Sequence, residues 1–181
     1  MNAFGTSVNG DAQNGLTREQ STRLVVLVPL TPLAAGDAFA VKDWPLHITV
    51  LAPFHTRKTH EQVAAVIAEV AATQPALTAR AGAEAMFGRG HDIPVTLVCD
   101  HPGLTRLHDR LLEALRPLAA RPEEPAFTGS KFRAHVTVKG ARRARAGEEF
   151  ILSQVALVDM APRAHAAGRA VLATVPLLPN P

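Results

Sequence analysis

Apolar residues fall along this chain in two rhythms. Short, β-branched runs bounded by proline or glycine predict strands, and two stretches with apolar residues three and four apart predict helices. The first run, Arg23-Leu24-Val25-Val26-Leu27-Val28-Pro29-Leu30, is apolar without alternation and predicts a buried strand closed by Pro29 and Pro32. Residues 31 to 43 predict a loop or short turn. Trp44-Pro45 requires an extended backbone, because a residue before proline avoids the helical region. It leads into a strand from His47 to Leu51 that is expected to stop at Pro53. From Thr59 the apolar positions become Val63, Val66, Ile67 and Val70, a helical spacing closed by Gln74-Pro75, and Thr59 with Gln62 has the pattern of a capping box.

The second half repeats the alternation of elements. Leu77 to Ala81 and Ala83 to Phe87 predict a strand with an irregularity at Gly82, residues 88 to 92 a turn, and Pro94 to Cys99 a further strand. Leu104, Leu107, Leu111, Leu112 and Leu115 mark one face of a second helix ended by Pro117, followed by a loop over residues 119 to 130. A strand entered through Phe132-Arg133-Ala134 runs from His135 to near Lys139-Gly140, and residues 141 to 147 form a basic loop. Phe150 to Val158 and Arg169 to Leu177 predict the last two strands, joined by a turn through Pro162 and Gly168. Residues 1 to 20, with two Asn-Gly pairs and few large apolar groups, are expected to be a flexible tail. Residues 21 to 181 are expected to form a single domain of two α+β lobes, because helices and strands do not alternate as in a parallel sheet.

Two strands carry nearly the same text: His47-Ile48-Thr49-Val50 and His135-Val136-Thr137-Val138. Successive side chains on a strand point to opposite faces, so each histidine shares a face with its threonine while the apolar pair faces the other way. One such pattern is usually chance; two, in corresponding places of two halves, point to an imidazole and hydroxyl pair presented by each half to a common cleft.

Composition narrows the classes. At 181 residues and 47% hydrophobic content the chain can bury a real core. A net charge of +3 permits an anionic ligand without requiring one. Cys99 stands alone in an apolar run and is expected to be a buried hydrophobe, which leaves no disulfide and fits a reducing compartment. No leader segment or long apolar span is evident, so a soluble, cytoplasmic protein without a membrane partner is expected. Eight histidines would allow a metal site, but neither His-Glu-x-x-His nor a Cys-His cluster accompanies them, and no metal or cofactor is expected. His55 and His60 read as surface residues, His91 as a residue of the cleft mouth, and His101, His108 and His165 as structural or exposed.

The stretches Pro45-Leu46-His47-Ile48-Thr49-Val50-Leu51-Ala52-Pro53-Phe54 and Phe132-Arg133-Ala134-His135-Val136-Thr137-Val138, with the closing pair of strands, resemble the two-histidine phosphoesterase superfamily, which includes bacterial 2′-5′ RNA ligase-like proteins and RNA 2′,3′-cyclic phosphodiesterases. The resemblance covers roughly residues 21 to 178, and Ala134 departs from it where relatives often carry proline. It implies a bilobal α+β fold with two antiparallel sheets around a central cleft, flanking helices, and both motifs projecting into the cleft with no metal required.

The residues suit that chemistry. Opening a cyclic phosphodiester needs a base, an acid and donors to the phosphate oxygens; two imidazoles can supply the first two and the Thr49 and Thr137 hydroxyls the third. Either histidine can be the base and the other the acid; for opening a 2′,3′-cyclic phosphate to the 2′-phosphate expected from the resemblance, His135 is the better candidate for the base and His47 for the acid, with the roles reversed for ligation. Arg133 and Lys139 lie an even number of residues from His135 and are candidates for phosphate attraction, as is Lys131; the plain alternative is solvated surface charge. Trp44 and Phe54 are candidates for stacking on one base, with core packing the alternative. With no Tyr and one Trp, a small nucleotide or an oligonucleotide end suits the chain better than an extended single strand. Arg142, Arg143 and Arg145 could guide a longer RNA. The alternative function is a non-catalytic module that holds a nucleotide or RNA end in the same cleft, and a third is a partner-binding domain in which the motifs are incidental.

Overall fold

A computed structural model describes residues 21–118, 121–122, 128–162 and 168–179. The expected tail, part of the 119–130 loop, His165 and most of the turn between Pro162 and Gly168 lie outside the described residues. The elements follow in the order β1 (Thr22–Pro29), β2 (Ala38–Ala40), β3 (His47–Thr56), α1 (His60–Ala71), β4 (Leu77–Phe87), β5 (Ile93–Val98), α2 (Pro102–Leu115), β6 (Arg121–Pro122), β7 (His135–Thr137), β8 (Glu149–Leu152), β9 (Gln154–Asp159) and β10 (Gly168–Pro176).

The protein is α+β, with the strands joined in one curled antiparallel sheet of order β2-β10-β9-β1-β3-β7-β5-β4-β8, β6 pairing with β3. The expected two sheets are thus one, because the two halves join through a single pairing of the motif strands, Ile48 opposite Val136. That pair lies at the centre of the sheet, so each motif is held on both sides: β3 by β1 and β7, and β7 by β3 and β5.

One face of the sheet is covered by the helices. Val63, Ile67 and Val70 of α1 and Leu104, Leu107, Leu111 and Leu115 of α2 pack with Ile48, Val136, Leu24, Val26 and Val28 in the main core. Val25 and Leu27, on the other parity of β1, join Trp44, Ala156, Val158, Met160 and Val171 in a second cluster. Burial on both faces explains why β1 reads as a continuous apolar run. The capping box is present: the Gln62 N–H donates to Thr59 Oγ1 at 3.4 Å and the Thr59 N–H donates to Gln62 Oε1 at 3.1 Å.

Four local expectations are corrected. β3 does not stop at Pro53 but runs to Thr56, because two register shifts, between Thr49 and Leu51 and between Leu51 and Phe54, re-phase the strand so that Thr22, Arg23 and Leu24 still pair with Thr56, His55 and Phe54. The predicted strand from Phe150 to Val158 is two strands: β8 pairs with β4 in one half, the chain leaves the ladder at Ser153, and β9 pairs with β1 and β10 in the other. Residues 38 to 40, expected in a loop, form an edge strand on β10. Cys99 is exposed, since β5 ends at Val98, while its own N–H donates to the Arg80 carbonyl at 2.8 Å.

Candidate active site

The site is built from the pairing of Ile48 with Val136. Residues opposite each other in an antiparallel ladder share a face, so both apolar side chains enter the helix-covered core. Their neighbours must point the other way. The antiparallel direction sets His47 beside Thr137 and Thr49 beside His135, and the four polar side chains lie on the face opposite the helices in a local two-fold arrangement.

Each imidazole is held by the same short tether. His47 Nδ1–H donates to the Pro45 carbonyl at 2.7 Å, and His135 Nδ1–H donates to the Arg133 carbonyl at 2.8 Å. A carbonyl can only accept, so Nδ1 carries the hydrogen and Nε2 of the neutral ring is left as the basic atom. Each ring also rests on an aromatic neighbour, Trp44 for His47 at 4.2 Å between centroids and Phe87 for His135 at 4.7 Å. Each aromatic carries a cation: Lys139 Nζ lies 5.9 Å from the Trp44 centroid, and Arg133 Cζ 5.4 Å from that of Phe87.

The two environments differ in depth. His47 is 8% exposed, whereas His135 is half-buried beside an open cavity. Burial, then the charges of Lys139 and His135 working against the carbonyl bond from Pro45, push the His47 imidazole down to about 4. Burial and the Arg133 guanidinium also lower His135. Both rings are therefore neutral at pH 7 in the unliganded protein.

A cavity of about 570 Å³ opens from the motifs. Thr49, Thr137 and His135 supply one polar side, Phe87, Ile93 and Phe132 an apolar wall, and Arg89 and Arg133 stand at its border. A shallower cavity with His91, Ser130 and Lys131 adjoins it across Phe87, Gly88 and Arg133. His91 thus stands by the cleft mouth as expected, at a positive φ of 50°.

The sequence-derived site residues sort clearly. His47, His135, Thr49, Thr137, Arg133 and Lys139 come together. Phe54 does not: it is fully buried in the main core and is unable to stack on a base. Trp44 is also buried, with His47, Lys139 and Arg169 against its ring, and is a packing platform for the imidazole rather than for a base. The basic loop is not one free patch. Arg142 donates to the Lys42 and Asp43 carbonyls, Arg143 pairs with Glu84 at 3.1 Å, and the Arg145 N–H donates to Glu148. Phe87, Arg89, Ile93 and Phe132 join the site only through the fold. For Phe87 the sequence holds a signal, an aromatic closing a strand just before a Gly-Arg-Gly turn; the others carry none.

The remaining histidines are structural or at the surface. His108 is fully buried, donates to the Val50 carbonyl at 2.7 Å, accepts from the Gly129 N–H at 2.8 Å, and stacks on Phe132 at 4.2 Å. It thereby ties α2 to β3 at the register shift behind the motif. His101 caps α2 by accepting from the Leu104 N–H. His55 and His60 are exposed. Among the described residues no three His, Cys, Asp or Glu side chains gather as a metal site would require. No helix among them is long and apolar enough to cross a membrane.

A sequence model of the 2′-5′ RNA ligase superfamily matches residues 26–169. No curated protein matches the chain. Among solved structures, TT0787 of Thermus thermophilus superposes with a TM-score of 0.56 at 18% identity, over 88% of this chain and 100% of its own. E. coli LigT complexed with 3′-AMP gives 0.56 at 16% identity, over 87% and 99%. A structure described as a phosphoesterase gives 0.55 at 15% identity, over 88% and 99%. At these identities the likeness is one of fold.

Proposed function

We propose, since the chain belongs to the 2′-5′ RNA ligase superfamily and has the two-histidine phosphoesterase fold, that it is a metal-independent cyclic phosphodiesterase opening 2′,3′-cyclic phosphates of nucleotides or RNA ends. The observation that carries this reading is the pairing of Ile48 with Val136, which gathers His47, Thr49, His135 and Thr137 on one face of the sheet with both Nδ1 atoms tethered. A phosphate-binding module needs no matched pair of imidazoles; an acid–base reaction does. That E. coli LigT was solved with 3′-AMP, NADP+ and ATP is in keeping with a nucleotide ligand here.

In this reading the cyclic phosphate sits between the imidazoles, with its non-bridging oxygens receiving hydrogen bonds from the Thr49 and Thr137 hydroxyls. Arg133 and Lys139 attract its charge. The histidine beside the open cavity has access to water, so Nε2 of His135 takes a proton from the attacking water as its oxygen bonds to phosphorus. The P–O3′ bond breaks, and His47 delivers a proton from Nε2 to the departing O3′, leaving a 2′-phosphate and a 3′-hydroxyl. His47 resists protonation in the free protein, and the negative phosphate opposes Lys139 and raises it on binding. The apolar wall of Phe87, Ile93 and Phe132 suits the face of a nucleobase. With a 5′-hydroxyl in place of the attacking water and the same P–O3′ bond breaking, the same residues would serve 2′-5′ ligation.

The test is hydrolysis of a 2′,3′-cyclic nucleotide and of an RNA ending in a cyclic phosphate, after EDTA treatment, by wild type, His47→Ala and His135→Ala. Turnover that survives chelation and falls at least about a hundredfold in either variant is expected. Loss of activity with EDTA would overturn the metal-independent reading, and nucleotide binding without turnover would make the protein a binding module.

A further inference from the structure

Behind His47, three cations are gathered around Trp44. The turn Lys139-Gly140-Ala141-Arg142 closes with two reciprocal backbone bonds, the Arg142 N–H to the Lys139 carbonyl at 3.0 Å and the Lys139 N–H to the Arg142 carbonyl at 2.9 Å. Gly140 takes the left-handed φ of 60° that such a tight return requires. Lys139 and Arg142 are therefore directly opposite one another and present their side chains to one face. Arg142 then donates to the carbonyls of Lys42 and Asp43, immediately before Trp44. Arg169, from β10, approaches from the other half with its Cζ 5.2 Å from the Trp44 centroid.

This arrangement has positive charge and donors in excess. Arg142 and Arg169 hydrogen-bond to backbone carbonyls, Arg169 to those of Met160 and Gly168, which accept hydrogen bonds without neutralising charge. One carboxylate, Asp159, acts on Arg169, and it already accepts from the Ala161 N–H at 2.9 Å. The two buried side-chain atoms that lack a partner among the described residues, Trp44 Nε1 and Arg169 Nε, both belong to this cluster, and both are donors. Among the described residues, the donors lack an acceptor and the three cations lack matching negative charge, both of which an anion would supply. Burial and the neighbouring Arg169 and Arg142 lower the Lys139 ammonium, as crowding of like charges requires.

We propose that Lys139, Arg142 and Arg169 form a second anion site beside His47, which takes a phosphate of the substrate other than the one that reacts. This rests on the reading of the cleft as a cyclic phosphodiesterase site and adds a substrate class to it: nucleotides with at least two phosphate groups. Lys139 is shared between the two phosphates, because its ammonium and the His47 ring both lie against Trp44, at 5.9 Å and 4.2 Å from its centroid. Arg142 and Arg169 serve the second phosphate alone. The second phosphate could be a 5′-phosphate of a small nucleotide or the next phosphodiester of an RNA end, two sources of one chemistry.

The experiment compares kcat/KM for adenosine 2′,3′-cyclic phosphate, the same nucleotide with a 5′-phosphate, and a dinucleotide ending in a cyclic phosphate, in wild type, Arg142→Gln and Arg169→Gln. A gain of about tenfold or more in wild type from the second phosphate is expected, corresponding to about one charge-assisted contact. The substitutions are expected to abolish that gain while leaving the one-phosphate substrate within about twofold. A gain with the 5′-phosphate alone assigns the site to small nucleotides, and a gain with the dinucleotide alone assigns it to RNA ends. Equal use of all three by wild type, or an equal loss on all three in both variants, overturns the proposal. Should no substrate turn over, the phosphodiesterase reading fails, and calorimetric binding of adenosine 3′,5′-bisphosphate against 3′-AMP still decides this one: tighter binding of the bisphosphate that Arg142→Gln removes upholds the second site, and equal binding ends it. Far-UV circular dichroism on both variants separates loss of the site from loss of the fold.

Discussion

His47 and His135 are held alike and buried unlike. Each Nδ1 is tied to a carbonyl two residues earlier, each ring has an aromatic partner, and each aromatic carries a cation. Yet His47 is sealed behind Trp44 in the half that holds the second apolar cluster, while His135 borders the cavity. The common device is what any acid–base histidine needs, a fixed tautomer and a fixed plane. In the proposed reaction the difference in depth would separate the roles: one ring meets water, and the other is screened from it and is charged only when the ligand raises its affinity for a proton.

The harshest test of that pairing is removal of both rings. His47→Ala and His135→Ala are each expected to lower kcat on a cyclic nucleotide by about 10²–10⁴. The double variant should lose little more than the worse single variant, because an acid without its base is nearly idle. Multiplicative losses in the double variant would show two independent contributions and break the comparison at its root.

Depth has a second consequence, in stability. An imidazole that titrates at about 4 when folded and at 6.5 when unfolded binds fewer protons in the native state between those values. Its stabilising effect is complete above pH 6.5, declines as pH falls through 6.5 towards 4, and is gone below, a loss of about 3 kcal/mol. His47→Gln removes that dependence. Urea unfolding at pH 7 and pH 4 should show the variant losing less stability than wild type over this interval, by about that amount. Equal losses would mean that His47 is not sealed from water.

The two threonines test the symmetry itself. Thr49→Val and Thr137→Val keep the branched shape a strand prefers and delete a hydroxyl that the proposed reaction uses as a donor to the phosphate. Each is expected to lower kcat by about tenfold to a hundredfold with little change in KM, toward the lower end for a single hydroxyl. A loss confined to one of them would mean that the phosphate leans towards one motif.

Much of this is legible in the sequence because it is local. The two motif strands, the capping box at Thr59 and Gln62, and the irregularity at Gly82 all follow from neighbouring residues, and the ladder does shift register between Ala81 and Glu84. What escapes depends on partners far along the chain. Nothing near Ile48 announces that it will pair with Val136 and fuse the expected two sheets into one. The break at Ser153 is visible only once β8 and β9 are seen to belong to different halves. Nearness to the motif makes Phe54 and Trp44 candidates for stacking, but Phe54 points into the core and Trp44 supports His47. Arg169 lies in the last strand, and only the curl of the sheet brings it to Trp44.

The smallest effect distinguishes the two histidines most directly. Both are lowered in the free protein, so kcat/KM, which reports the free enzyme, should follow a bell whose two limbs lie below 6.5. The charges that lower them differ: Lys139 acts on His47, and Arg133 acts on His135. Lys139→Gln should move the more acidic limb up in pH and leave the other near its place, while Arg133→Gln should move the less acidic limb. Either substitution also weakens phosphate attraction and so lowers the whole profile, but height and position are separate readings. If both substitutions displaced both limbs equally, the rings would be titrating as one coupled pair, and neither limb would belong to a single histidine.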